Sequence, residues 1–177
     1  MNNDTFDLRL ETESHIEVHK FRAGAVVATM VAALVLQALL PVYFPKAAIL
    51  DLPLLLTTYF GLSRRNPSTG LLLGMAIGLL QDSLSKSPLG LYGIAKTLIG
   101  FIASSIGGRL DTEHPASRFA LTIVFFGVHQ GVIVLIKRLL LAQPEIWFTM
   151  RLGLAALVNG VVAVGLFFLL DRLRKPS

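Results

Sequence analysis

Few of the residues that could do chemistry in this sequence have the spacing that chemistry requires. The four histidines are dispersed, at His15, His19, His114 and His129, and there is no cysteine. No HExxH, GxSxG, Walker or paired-carboxylate motif occurs. His15 and His19 have the spacing of metal ligands on a helix, but the tail around them lacks a helical pattern. We therefore predict neither a metal site nor a cofactor.

An intramembrane serine hydrolase is the enzyme class that best fits the remaining residues. Ser104 and Ser105 are adjacent in one apolar segment, and His129 lies in a later one. Neither serine has the glycine-flanked setting of a nucleophile elbow or an evident base beside it. Enzyme is therefore the least favoured class, and we predict that the protein is not one.

Charged residues inside apolar segments are the stronger functional candidates, because an ionisable group is costly in a membrane and usually has a partner or a role. Lys96 lies about two turns into such a segment. Asp82 closes the preceding segment and Asp51 opens an earlier one. We predict an ion pair from Lys96 to Asp82 or Asp51, with a substrate-binding role as the alternative.

Three uncharged polar residues also interrupt apolar segments: His129, Gln130 and Asn159. Side chains of these types hydrogen-bond between membrane helices at a gain of roughly 0.6 to 2 kcal/mol each. We interpret them as interhelical hydrogen-bonding groups, and a ligand site is the alternative.

The composition predicts that the elements carrying these residues are membrane helices. Hydrophobic residues make up 54% of the 177 residues and charged residues only 15%, with a mean hydropathy of +0.68. Soluble domains are about one quarter charged. The 16 basic residues outnumber the 11 acidic ones but are scattered between apolar runs, which argues against a nucleic-acid surface. The fold class predicted is an all-α bundle of transmembrane helices.

Six apolar segments could cross the bilayer as helices. They cover residues 23–40, 47–62, 69–80, 89–106, 119–136 (or on to 141) and 147–170. The second and third are short, so a re-entrant hairpin is an alternative for them. The predicted organisation is an N-terminal cytoplasmic tail over 1–22, a six-span bundle over 23–171 and a basic cytoplasmic tail over 172–177.

The distribution of Lys and Arg predicts the orientation, because cytoplasmic loops are enriched in both. Ten fall on the side of the N-terminus and four on the other side. The ten are Arg9, Lys20, Arg22, Arg64, Arg65, Arg109, Arg118, Arg172, Arg174 and Lys175; the four are Lys46, Lys86, Lys137 and Arg138. Both termini are therefore predicted to be cytoplasmic, with the first span as an uncleaved signal-anchor.

Glycine recurs at every fourth position of the third segment, at Gly70, Gly74 and Gly78. These positions form one helical ridge where another backbone can approach closely. The fourth segment repeats the spacing with small residues at Gly100, Ser104 and Gly108, so we predict tight packing of these two segments. Docking of a partner's membrane helix on the glycine ridge is the alternative.

The stretch 74–93 resembles the central signature of the rod shape-determining protein MreD family. A glycine-bearing helix ends in Leu-x-Asp at Asp82, and a short polar loop leads to Pro-Leu-Gly at Pro88 to Gly90. Upstream, Asp51-Leu-Pro is similar to the start of that family's second span, and a basic Arg64-Arg65 turn follows.

The resemblance implies a non-catalytic component of the bacterial elongation machinery in the inner membrane. It implies association with a single-span MreC-like protein and, through it, with an MreB-like filament, a RodA-like glycosyltransferase and its transpeptidase. It also implies a fold like that of the substrate-binding subunits of energy-coupling-factor transporters. The positions carried over as structural or partner-binding are Gly74, Gly78, Asp82, Pro88 and Gly90.

The alternative function is a vitamin-binding subunit of an energy-coupling-factor transporter, since size and implied fold permit it. Such a protein should have an outward-facing pocket around Lys96, His129, Gln130 and Asn159. None of these four residues is assigned by the resemblance.

Overall fold

The chain forms six α-helices in a computed structural model that describes residues 23–85, 87–110, 112–143 and 149–172. They are α1 (Ala23–Tyr43), α2 (Leu52–Arg64), α3 (Pro67–Leu84), α4 (Leu91–Ile106), α5 (Pro115–Leu139) and α6 (Met150–Asp171), with a 3-10 helix (Pro45–Ile49) between α1 and α2. These ranges contain no strand, which confirms the all-α prediction. The predicted tails over 1–22 and 173–177 lie outside the described residues.

Within the described residues, three helices are long and apolar enough to cross a membrane: α1 from Gly24, α5 and α6. They contain 21, 25 and 22 residues, and about 20 are needed for a span. The apolar α4 is shorter, at 16 residues. The structure thus agrees with an all-α membrane protein.

Helix α2 differs from the predicted second segment because it begins five residues later. Residues 45–49 form the 3-10 helix, and the Asp51 side chain caps α2 by accepting a hydrogen bond from the Leu54 amide at 3.0 Å. Pro53 follows in the first turn, where its missing N–H costs nothing. The result is a helix of 13 residues, about 20 Å long.

A tight turn joins α2 to α3. Arg65 adopts a left-handed conformation (φ 53°), which ends α2, and Asn66 then caps α3 by accepting from the Thr69 amide at 3.2 Å. Pro67 occupies the first turn of α3. Helix α3 runs to Leu84, so Asp82 lies within its last turn rather than after its end.

Helix α2 is enclosed by protein, since every residue from Pro53 to Ser63 is buried. One side of it packs with α1 and α6, where Phe60 meets the cluster that includes Val26 and Phe167. Leu54 and Leu62 pack in a second cluster with residues of α4 and α5, among them Ile99 and Phe125. A helix that is apolar all round belongs in the interior of a bundle.

Candidate functional site

Asp82 organises the loop between α3 and α4. Its carboxylate accepts three backbone hydrogen bonds, from the amides of Gly90 and Gly93 at Oδ2 (2.9 and 3.0 Å) and of Tyr92 at Oδ1 (2.9 Å). The first amides of a helix have no partner within it, and a negative charge there is favoured by the helix dipole. Asp82 therefore caps α4 from a neighbouring helix while only 1% exposed.

The Pro-Leu-Gly sequence shapes the turn that this cap requires. The Pro88 carbonyl accepts from the Leu91 amide at 3.1 Å. Gly90 has a φ of +96°, a conformation that side-chain-bearing residues rarely adopt. The residues Asp82, Pro88 and Gly90, which carry the sequence resemblance, thus form one connected piece of structure.

The glycine ridge of α3 lies against α4 of the same chain. A Cβ at Gly74 would overlap the Lys96 carbonyl oxygen, and one at Gly78 would overlap that of Tyr92. At Gly70 a Cβ would strike the Gly100 carbonyl and the side chain of Ser104. All three glycines thus serve helix packing within the bundle, and α4 covers the ridge that was considered for a partner's helix.

Lys96 pairs with Asp51 rather than with Asp82. Its ammonium donates to Asp51 Oδ2 at 2.9 Å, and the Lys96 side chain is fully buried. The same ammonium lies 3.2 Å from His129 Nε2 and 4.9 Å from the centre of the Tyr92 ring. Tyr92 and His129 stack in parallel with ring centres 6.1 Å apart. One cation is thus surrounded by a carboxylate, an imidazole and an aromatic face.

Asn159 and Gln37 satisfy the irregular backbone before α2. The Asn159 amide donates to the Ile49 carbonyl (2.8 Å) and its oxygen accepts from the Asp51 amide (2.9 Å). Gln37 donates to the Leu50 carbonyl (2.8 Å) and accepts from the Leu52 amide (2.9 Å). Backbone that leaves a helix inside a membrane must find such partners. We call Asp51, Lys96, His129, Asn159 and Gln37 the polar cluster.

Gln37 was missed by the sequence analysis, although a signal was present. It is the one residue with a long polar side chain in the first apolar segment. The predicted second span began at residue 47, so residues 49–52 were expected to satisfy their own backbone as a helix. Gln37 then had no backbone group to bind.

A second, partly buried ion pair, which was not predicted from the sequence, joins the start of α5 to the end of α6. Arg118 Nη2 donates to Asp171 Oδ2 at 2.6 Å, and its Nε donates to the Thr112 carbonyl at 2.8 Å. Tyr59 donates to the other Asp171 oxygen at 2.9 Å. Arg118 lies at the start of α5 and Asp171 at the end of α6, each just outside the predicted spans 119–136 and 147–170.

The remaining candidate residues do not form a reaction centre with one another. Ser104 and Ser105 each donate to the carbonyl one turn back in their own helix, at 2.6 and 2.7 Å. His129 contacts Lys96, and Gln130 lines a separate cavity. Among the described residues no group of three or more metal-binding side chains occurs.

The polar cluster also does not form the pocket expected of a vitamin-binding subunit. Lys96, His129 and Asn159 are all fully buried and in contact with protein groups. Of the four residues expected around such a pocket, only Gln130 lines the nearby cavity. The structure therefore gives no support to the transporter alternative.

Comparison with known proteins gives one match. The family model described as rod shape-determining protein MreD matches residues 20–175. No curated protein and no solved structure matches the chain significantly, so the implied likeness to energy-coupling-factor subunits is unsupported.

Proposed function

The chain belongs to the family of the rod shape-determining protein MreD, and from this premise we propose that it scaffolds the cell-elongation machinery in the bacterial inner membrane. The match over residues 20–175 carries the proposal. The family is a shape-determining structural component of the membrane. The finer proposal is that this chain holds a single-span MreC-like partner.

In this proposal all six helices form one bundle with both termini in the cytoplasm. The excess of Lys and Arg on the N-terminal side supports that orientation. Helices α2, α3 and α4 are each too short or too polar to be recognised as a span on their own. However, α2 is enclosed by its neighbours, and the glycines of α3 pack closely against α4. The partner would link the bundle to an MreB-like filament, a RodA-like glycosyltransferase and its transpeptidase.

We place the partner's helix in the apolar groove on the outer face of α3 and α4. The groove has a volume of about 590 Å³ and is lined by Leu71, Met75, Leu79, Gly90, Gly93, Ile94, Thr97, Leu98 and Phe101. All but Thr97 are apolar or glycine, which suits the apolar surface of a membrane helix. Four of these nine residues fall in the stretch 74–93 that carries the resemblance, so the signature contributes part of the groove.

The test is capture of an MreC-like partner by groove variants. Ile94 is 52% exposed, so Ile94→Trp should fold normally, fill the groove and reduce co-purification of the partner in detergent severalfold. Val124 on α5 is 60% exposed and lies outside the groove. Val124→Trp is the matched control and should capture the partner as wild type does. Equal capture by both variants would place the partner elsewhere.

A further inference from the structure

The first turn of α4 has two faces, one toward the groove on α3 and α4 and one toward the interior of the bundle. Gly90 and Gly93 line the groove. Tyr92, between them in the chain, is directed at α5, where its ring stacks on that of His129 with ring centres 6.1 Å apart. A single helical turn therefore separates the groove from the polar cluster.

One carboxylate holds both faces of this turn. Asp82 Oδ2 accepts from the amides of Gly90 and Gly93, and Oδ1 accepts from the amide of Tyr92, all at 2.9 to 3.0 Å. The three residues are thus fixed relative to one another, so a displacement of the two glycines carries Tyr92 with it. Closely packed protein interiors transmit such displacements because they have little free volume.

The two glycines leave the backbone of this turn open to whatever occupies the groove. Among the described residues, a Cβ added at Gly90 would meet nothing within 4 Å. A Cβ added at Gly93 would meet the end of the Leu79 side chain at 2.8 Å, and Leu79 also lines the groove. A side chain from a docked helix therefore presses on the backbone of α4 directly or through Leu79, because neither glycine has a side chain that could yield.

On the inner face, Tyr92 covers the cation of the buried ion pair. The Lys96 ammonium lies 4.9 Å from the centre of the Tyr92 ring and 2.9 Å from Asp51 Oδ2. A cation over an aromatic face is stabilised by the ring, most strongly where water is excluded. A buried ion pair requires good geometry to repay its desolvation. The position of the Tyr92 ring therefore affects how Lys96 joins α4 to α2.

We propose that the first turn of α4 couples the groove to the ion pair of Lys96 and Asp51, so that a helix seated in the groove fixes the Tyr92 ring over Lys96. Tyr92 is then a positioning residue for partner binding, although it lies outside the groove. This inference rests on the proposed function for the occupant, an MreC-like membrane helix. Linkage makes the coupling reciprocal, so a change at Tyr92 alters the affinity for that helix.

Histidine NMR of the full-length protein in detergent tests the coupling without the partner. Leu79→Trp places a large ring over Gly93 from α3, as a docked side chain would. Leu80→Trp is the matched control, because the two leucines are 41% and 52% exposed but Leu80 does not line the groove. With isotope-labelled histidine, the His129 signal is identified by its loss in His129→Gln. We expect Leu79→Trp to shift that signal, because the Tyr92 ring moves, and Leu80→Trp to leave it in place. An unshifted signal in Leu79→Trp, or equal shifts in both variants, would overturn the coupling.

Titration with the MreC-like partner tests the same coupling where the partner binds. Tyr92→Leu keeps the backbone amide that Asp82 holds and the lining of the groove, but it removes the aromatic face. We expect the affinity for the partner to fall on the order of tenfold, and we expect the bound partner to shift the His129 signal of the wild type. Tyr43→Leu is the control, since Tyr43 is 74% exposed and lies outside the groove, and it should leave the affinity unchanged.

The outcomes separate the coupling from the proposed function. If Ile94→Trp weakens capture but Tyr92→Leu binds the partner as wild type does, the coupling is wrong and the groove remains the partner's site. If Ile94→Trp and Val124→Trp capture the partner equally, the groove is not that site, and the His129 signal in Leu79→Trp then decides the coupling by itself.

Discussion

At the scale of single residues, Lys96 is a charged side chain that the bundle buries completely. Its side chain has no exposed surface, and the Asp51 carboxylate at 2.9 Å is its charged partner. A buried pair is a poor source of net stability, but removal of one partner leaves an uncompensated charge and costs about 3–5 kcal/mol. The pair therefore specifies how α2 and α4 fit together.

We expect Lys96→Met to destabilise the protein by about 3–5 kcal/mol, measured by unfolding in mixed detergent micelles. Asp51→Asn keeps an oxygen that can cap α2, so the double variant should recover most of that loss. Lys46→Met is the matched control, because Lys46 is exposed in the 3-10 helix, and it should cost little. A cost for Lys96→Met no larger than for Lys46→Met would contradict the pairing.

Most residues of the polar cluster could be identified from the sequence, but which of them pair could not. Lys96 had two carboxylates within reach, and hydropathy does not distinguish them. Asp82 is unavailable because its oxygens accept backbone amides at the start of α4. The capping of α4 by Asp82 depends on how the loop folds in three dimensions, which no sequence pattern reveals.

At the scale of elements, the contact between α3 and α4 is the closest in the bundle. Gly74 and Gly100 each lie so near the opposite backbone that an added Cβ would overlap a carbonyl oxygen. The four-residue glycine period predicted this contact correctly, because it places the small residues on one face. The start of α2 was less predictable, since an apolar 3-10 helix and an apolar span have similar composition.

Gly74→Leu should push α3 away from α4 and destabilise the protein by about 3 kcal/mol, the upper end of the usual range for overpacking, because the overlapping atoms belong to the backbone and cannot move aside. Gly127 in α5 provides the matched control, since an added Cβ there meets nothing within 4 Å. Thermal unfolding in detergent should show a large loss for Gly74→Leu and little for Gly127→Leu. Similar losses would mean that α3 and α4 are not held by this ridge.

At the scale of the whole molecule, the described polar contacts gather near two levels of the bundle. The polar cluster joins α1, α2, α4, α5 and α6 near the 3-10 helix, and the Arg118–Asp171 pair joins α5 and α6 near the end of α2. Between these levels the interior consists mainly of apolar clusters. The order of the helices was accessible from hydropathy, whereas this layering depends on which helices are neighbours.

The proposed orientation can be tested by labelling, because the chain contains no cysteine. Lys46→Cys and Arg109→Cys each introduce one thiol at an exposed residue. A membrane-impermeant maleimide should label Lys46→Cys in intact cells and Arg109→Cys only after the inner membrane is opened. The reverse pattern would show the inverted topology. Labelling of both variants in intact cells would show that residues 46 and 109 do not lie on opposite sides of the membrane.

The buried ion pair also constrains the order of biogenesis. Asp51 and Lys96 are 45 residues apart, so the ribosome delivers the carboxylate to the membrane well before the cation exists. Helix α2 is short and carries that carboxylate at its start. The helices that cover it come both before and after it in the chain. Helix α2 therefore reaches its final position only after α4 has been synthesised, so its insertion depends on contacts with helices that are made later.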